Sequence, residues 1–190
     1  MSAEQGPVTS RWQGRQVWLA ARNVETDAAL DVRWERDSGF HRLTSPRPAY
    51  PMTLDQVRRY YEPRGPRSFP FAIRALKADR LIGYIGLWIE SWISREAWVG
   101  IGLGDRGDWG QGYGTEALQL ILRYGFTELH LHRVSLTVLA ANPRAIRSYE
   151  KCGFVREGEV RDAARYDGQY YDEVVMGLLR DEWRGITPDA

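Results

Sequence analysis

The chain has 190 residues, 43% of them hydrophobic and 12% aromatic, enough for a packed core within one ordinary domain. Twenty-six basic residues against 25 acidic give a formal net charge of +1, which argues against a general nucleic-acid or membrane-surface binder. Cys152 stands alone, so no intrachain disulfide can form, and it has no metal-ligand spacing with His41, His130 and His132; no metal is expected. No apolar run reaches transmembrane length and the opening residues carry no signal-peptide pattern, so a soluble cytoplasmic protein is expected.

Taken in order, QVWLAAR (16–22) reads as a short strand. ETDAALDVRWERD (25–37) reads as a helix capped by Thr26 or Asp27, with Ala29, Leu30 and Trp34 inward. SPRPAYP (45–51) is connection. In TLDQVRRYYEP (53–63), Thr53 and Gln56 are spaced as a capping box, and the helix stops at Pro63. A basic, turn-rich loop, EPRGPRSFP, follows.

From Phe69 the pattern changes. FPFAIRAL, a turn at 77–80 and LIGYIGLWIE form a hairpin, with EAWVGIGLG (96–104) as a third strand. A glycine-rich loop then opens a helix from Thr115 to about Leu129. RVSLTVLA (133–140) is a strand, NPRAIRSYEKCG (142–153) a short helix, FVREGEVRD (154–162) a strand and YYDEVVMGLL (170–179) the last strand. Both ends read as frayed, and no internal repeat is present. The expectation is one mixed α/β domain over 1–190, core about 15–180, with a mostly antiparallel central sheet flanked by helices.

The loop GDWGQGYGTEA (107–117) crowds Gly110, Gly112 and Gly114 before an apolar helix. Unpaired amides and the helix dipole suit such a turn to an anion. A Walker loop would need a lysine after the last glycine, which is missing, and a dinucleotide fingerprint would follow a first strand rather than a meander. A tight turn whose glycines only supply positive φ remains the plain alternative.

A second segment, NPRAIRSYEKCGF (142–154), changes the balance. Together the two motifs resemble the GNAT superfamily of acetyl-coenzyme A-dependent N-acetyltransferases, over about residues 15 to 180. WGQGYGTEA, HRVSLTVLAAN and YDGQYYDEVVMGLL look most like its RimJ/RimL branch, which acetylates ribosomal-protein N-termini and other amines. The resemblance implies that amides from Gly110 through Gln111, Gly112, Tyr113 and Gly114 to Thr115 cradle the pyrophosphate of acetyl-CoA. Trp109 stands where the family usually has Gln or Arg, so an ionic contact is lost there. Ile101 and Leu103 would pair with the pantetheine arm, and Asn142 would face the cofactor or the substrate channel.

Tyr149 would present a protonated phenol to the leaving thiolate. Relatives often carry a Glu where this chain has Trp98, so the base falls to Glu96, with Glu90, the Asp172–Glu173 pair or a water as alternatives. His130 and His132 read as helix-end residues. Direct transfer in a ternary complex suits the tyrosine better than an acyl-enzyme on Cys152. Trp34, Phe40, Tyr50, Tyr60 and Tyr61, with Arg47, Arg64 and Arg67, would wall the acceptor groove. The expected partners are acetyl-CoA and an amine, a protein or peptide α-amine or a small molecule, with no nucleic acid or membrane and a homodimer left open. A non-catalytic acyl-CoA sensor and a plain α/β interaction domain are the alternatives.

Overall fold

The computed structural model describes residues 11–45, 47–62 and 65–185. Arg64 and the outer ends, 1–10 and 186–190, lie outside these. One seven-stranded sheet runs through the described residues in the order β1-β2-β3-β4-β5-β7-β6. Its strands are β1 (Val17–Ala20), β2 (Ser68–Ala75), β3 (Arg80–Ser91), β4 (Glu96–Leu103), β5 (Arg133–Leu139), β6 (Val155–Tyr166) and β7 (Gln169–Leu179). Every neighbouring pair is antiparallel except β4 with β5. The expected mostly antiparallel α/β sheet is what the chain forms.

Among the described residues five α-helices flank the sheet: α1 (Val24–Glu35), α2 (Ser38–Thr44), α3 (Leu54–Arg58), α4 (Tyr113–Thr127) and α5 (Pro143–Lys151). Strand residues alternate faces, so Leu19, Ile73 and Ile82 join the main core while Ala20, Ala72 and Leu81 face the other way. The main core takes the apolar stripe of α4, with Leu118, Ile121, Leu122 and Phe126 at 1% exposure or less. Trp34 of α1 and Phe40 of α2 cover the opposite face. Glu116, in the first turn of α4, accepts from the backbone N–H groups of Arg15, Gln16 and Val17 and ties that helix to β1.

Several local expectations are corrected. Asn23, not Thr26 or Asp27, caps α1: its side chain accepts from Glu25 N at 2.9 Å, while Asp27 accepts from Asn23 N at 3.0 Å. Of the apolar positions expected on α1, Trp34 is buried, but Ala29 is exposed and Leu30 half-buried. Asp27, Asp31 and Glu35, four residues apart, are buried instead. They can be because Arg74 meets Asp27 at 2.6 Å, Arg22 binds Asp31, and His41 Nδ1 meets Glu35 at 2.7 Å. Seven-residue α2 lies between the helix expected over 25–37 and the connection expected over 45–51; Asp37 caps it, accepting from Gly39 N and Phe40 N. Helix α4 starts two residues earlier than expected, at Tyr113, and β6 runs on to Tyr166. The capping box at Thr53 and Gln56 is present.

Gly104, one residue beyond β4, lies directly against the Trp34 indole, and a Cβ there would fall inside the ring. Trp34 is 2% exposed and cannot swing clear. Gly104→Ala is therefore expected to destabilise the fold by about 1–3 kcal/mol, read as a lower urea midpoint at unchanged slope.

Candidate active site

The site begins where the one parallel pairing stops. Strands β4 and β5 are in register only from Glu96–Trp98 against Arg133–Ser135. Beyond Trp98 the two strands separate, and β4 continues on β3 alone. Gly104 N–H donates to Ile82 O at 3.0 Å, so by alternation the backbone groups of Ile101 and Leu103 point away from β3, into the gap. Trp109 Nε1 donates to Leu103 O at 2.8 Å. Ile101 thus keeps both backbone groups for a ligand, while Leu103 keeps only its N–H.

A cavity of about 360 Å³ fills the gap. One wall is Ile101, Gly102 and Leu103, another Thr137 and Val138 of β5, a third the loop of Trp109, Gly110, Gly112, Gly114 and Thr115. Gly110 (φ 77°) and Gly112 (φ 87°) are in the left-handed region that a side chain disfavours. Gly112 is the N-cap of α4, and no side chain caps that helix. Its first-turn amides are therefore open to an anion, with the helix dipole behind them. The loop is braced from beneath by Arg80, which meets Asp108 at 2.6 and 3.0 Å. Gln111 and Tyr113 do not line the cavity with their side chains, so only their amides are candidates for contact.

Helix α5 closes the cavity. Asn142 caps it, Oδ1 accepting from Ala145 N at 3.2 Å, with Pro143 preset for the first turn. Thr115 Oγ1 and Ser148 Oγ share a hydrogen bond of 2.8 Å that fastens α5 to the start of α4. This places Tyr149, 9% exposed, in the cavity wall with its ring edge-on to Phe154 at 5.9 Å. Burial pushes the Tyr149 hydroxyl up to about 12, with Cys152 nearby adding to the rise. The phenol therefore stays protonated throughout the physiological range. Burial also pushes the Cys152 thiol up to about 12, and its Sγ lies 3.6 Å from Thr115 O.

Among the described residues, no carboxylate and no histidine lines this cavity. Glu96 sits at the paired end of the two strands, held by Arg133 Nε at 3.3 Å and Ser135 Oγ at 3.2 Å. The structure does not bring it together with Tyr149, and Glu90, Asp172, Glu173, His130 and His132 also lie outside the lining. Asp172 accepts from Asp162 N at 2.8 Å in the β6–β7 hairpin. Among the described residues no cluster of His, Cys, Asp and Glu could hold a metal ion.

A second cavity, about 220 Å³, shares Thr44 with the first. It is lined by Arg22, Asp31, Glu35, Arg47, Tyr60, Ser68, Tyr84 and Trp88, among others. Sequence reasoning brought Arg47 and Tyr60 to such a wall but missed Arg22, Asp31, Glu35 and Tyr84. The four-residue spacing of the α1 acids was the available signal. Burial raises the Asp31 carboxyl against the opposing pull of Arg22, and Tyr61 donates to it at 2.7 Å. Ser68 Oγ is buried with no hydrogen-bond partner among the described residues. Tyr50 stays exposed on the surface.

Residues 19–155 match the family model described as the acetyltransferase (GNAT) domain. The chain belongs to the GNAT acetyltransferase family. Among similar GNAT relatives, the N-acetyltransferase p20 of Bacillus licheniformis is 33% identical over 115 residues, 60% of this chain and 64% of p20. The spermidine N(1)-acetyltransferase of Vibrio cholerae is 34% identical over 103 residues, 54% of this chain and 59% of that protein. The matched segments thus span less than two thirds of these relatives. A crystal structure of the Vibrio cholerae spermidine N-acetyltransferase with CoA and spermine superposes with a TM-score of 0.78 at 25% identity, covering 88% of this chain and 97% of that one. No helix among the described residues is long and apolar enough to cross a membrane.

The raised thiol sets a test. Cys152→Ala is expected to retain catalytic turnover within about threefold, and iodoacetamide should label Cys152 at least tenfold faster in urea than in the folded protein. A burst of covalent acetyl-enzyme lost in the Ala variant would contradict direct transfer.

Proposed function

We propose that this GNAT chain transfers an acetyl group from acetyl-CoA to a primary amine by direct attack in a ternary complex. The observation that carries the reading is Tyr149, a buried phenol in the wall of a cavity whose other walls are an unpaired strand edge and an uncapped helix start. The amides of the glycine loop receive the pyrophosphate. Ile101 pairs with the pantetheine arm, which completes the sheet where β5 has left it. The second cavity, joined through Thr44, is the route by which the acceptor reaches the thioester.

As the amine attacks, negative charge passes to the thioester oxygen and then to the departing sulfur. Tyr149 donates a hydrogen bond to that sulfur. A phenol near 12 does not protonate a thiolate of ordinary pKa about 8.5 on its own, because the transfer is uphill by roughly 5 kcal/mol. The proton lost from the attacking nitrogen makes up the difference, passing through Tyr149 to sulfur. The products are the amide and free CoA thiol. A sensor that only binds acyl-CoA has no use for a phenol at this point.

Among the described residues the main cavity is lined by no carboxylate or imidazole, and the two acids of the second cavity, Asp31 and Glu35, are engaged by Arg22 and His41, which bears on the acceptor. A lysine-type amine at pKa 10.4 is about 1 part in 2,500 neutral at pH 7, a cost of about 4–5 kcal/mol; an α-amine near 7.7–8.0 costs about 1. The acceptor we favour is therefore an α-amine of a peptide or small molecule, in keeping with the RimJ/RimL-like form of the motifs, and the setting is cytoplasmic. The relatives point both ways: those of Vibrio cholerae and Escherichia coli are named for spermidine, while YdaF of Bacillus subtilis, 32% identical over 105 residues, is named as a candidate ribosomal N-acetyltransferase.

Acetyl-CoA at about 100 times its Kd should stabilise the fold by roughly 2.7 kcal/mol, a melting shift of about 5–10 °C. No shift at millimolar acetyl-CoA would remove both the enzyme and the sensor readings. Tyr149→Phe should lower kcat by about 10²–10⁴ with cosubstrate affinity near wild type. In a panel of peptides, amino acids and polyamines followed by CoA release, kcat/KM on α-amines should rise with one apparent pKa near 7–8. Preferred acetylation of polyamines would overturn the α-amine assignment and leave the transferase reading standing.

A further inference from the structure

Trp109 occupies the turn into the glycine loop, and its surroundings are unusual for a surface indole. Its Nε1 is fixed to Leu103 O at 2.8 Å, so the ring is held in one orientation. The Arg144 guanidinium lies over that ring, 3.8 Å from its centre, within the range of a strong cation–π contact. Arg106 also approaches the ring, at 5.7 Å, but its charge is answered by Asp37 at 3.4 Å. Arg144 makes no ion pair with any described residue. It is half-buried, and desolvation pulls its pKa below the ordinary arginine value, yet no acid compensates.

Arg144 is not alone. Arg147 and Lys151 follow it on α5 at three- and seven-residue spacing, which puts all three cations on one helical face, and all three line the main cavity. Glu150, the only acid of the helix, is engaged by Arg156 at 3.3 Å. Three cations and no carboxylate therefore border a cavity whose other rim is the open amide loop. Uncompensated positive charge in a partly desolvated rim is costly unless an anion completes it.

We propose that Trp109 is a platform that holds Arg144 against the glycine loop, so that Arg144, with Arg147 and Lys151 beside it, binds the phosphates of the cosubstrate. The inference rests on the acetyl-CoA reading and extends it to residues outside the loop. It also accounts for the indole in the turn. The cation sits on the next helix and is held over the ring through stacking, which a guanidinium does better than an ammonium. Trp109 is here a positioning residue; Arg144 is the group that touches the ligand.

Calorimetric titration of the whole chain with CoA and with adenosine 3′,5′-bisphosphate separates the possibilities. Wild type should bind CoA, and raising the salt from about 50 to 300 mM should weaken it several-fold through screening. Arg144→Gln should weaken CoA about 10- to 50-fold, weaken the bisphosphate comparably and flatten the salt response. Trp109→Leu should approach the Arg144→Gln value and Trp109→Phe should remain within about threefold of wild type, since a ring without the indole N–H still stacks. The double variant Trp109→Leu/Arg144→Gln should be no weaker than the worse single variant, as expected of one coupled unit. Melting temperatures within a few degrees of wild type identify variants that fold. CoA affinity of Arg144→Gln within twofold of wild type, or Trp109→Phe as weak as Trp109→Leu, would overturn the assignment. Failure of wild type to bind CoA at all would instead overturn the acetyl-CoA reading.

Discussion

The parallel contact between β4 and β5 lasts three residues, and most of what this protein can do follows from its ending. A strand that loses its neighbour in the middle of a sheet exposes backbone donors and acceptors in the interior, where they must find partners. Here the far strand is braced by β7 along its whole length, and the near strand by β3, so neither can move to close the gap. An extended, amide-bearing ligand is the natural occupant. Ile101 turns both its backbone groups into the gap, and the loop beyond Leu103 leads at once into a helix with no side-chain cap, so strand edge and open helix start lie end to end.

The remaining elements hold that arrangement in place. Arg80 grips Asp108 below the loop, Glu116 binds α4 to β1, and the Thr115–Ser148 hydrogen bond locks α5 across the opening. On the other face of the sheet, a row of buried acids on α1 is neutralised pair by pair by Arg74, Arg22 and His41. Such pairs gain little net stability over an apolar interface, because desolvation offsets the attraction. They do fix the position of α1 and α2 with directional contacts, which an oily surface would not.

Much of this was legible in the chain beforehand, for identifiable reasons. Turn residues and two-residue alternation marked the meander, and local glycine chemistry marked the loop before α4. The Thr53–Gln56 cap is encoded within four residues, and it is present. What escaped reading depends on groups far apart in sequence. The inward acids of α1 look like a solvated face until Arg74 is brought beside them. The case for Glu96 as a base rests on its place two residues before Trp98 on the same strand face; that its carboxylate meets Arg133 and Ser135 at the paired end is a contact between separate strands that spacing alone does not reveal. Trp109 and Arg144, 35 positions apart, could not be matched by any local pattern, and their stacking is a product of the α4–α5 packing.

Cys152, the only sulfhydryl of the chain, is tucked behind Tyr149 with its proton held tightly. Because the thiolate is the species that reacts, this half-buried thiol, raised to about 12, is almost silent toward disulfide reagents at neutral pH. Chromogenic thiol detection can therefore run on the folded protein with little blank from the polypeptide: colour that grows with time counts liberated coenzyme, and a sudden step of colour from the protein itself marks the loss of its native packing.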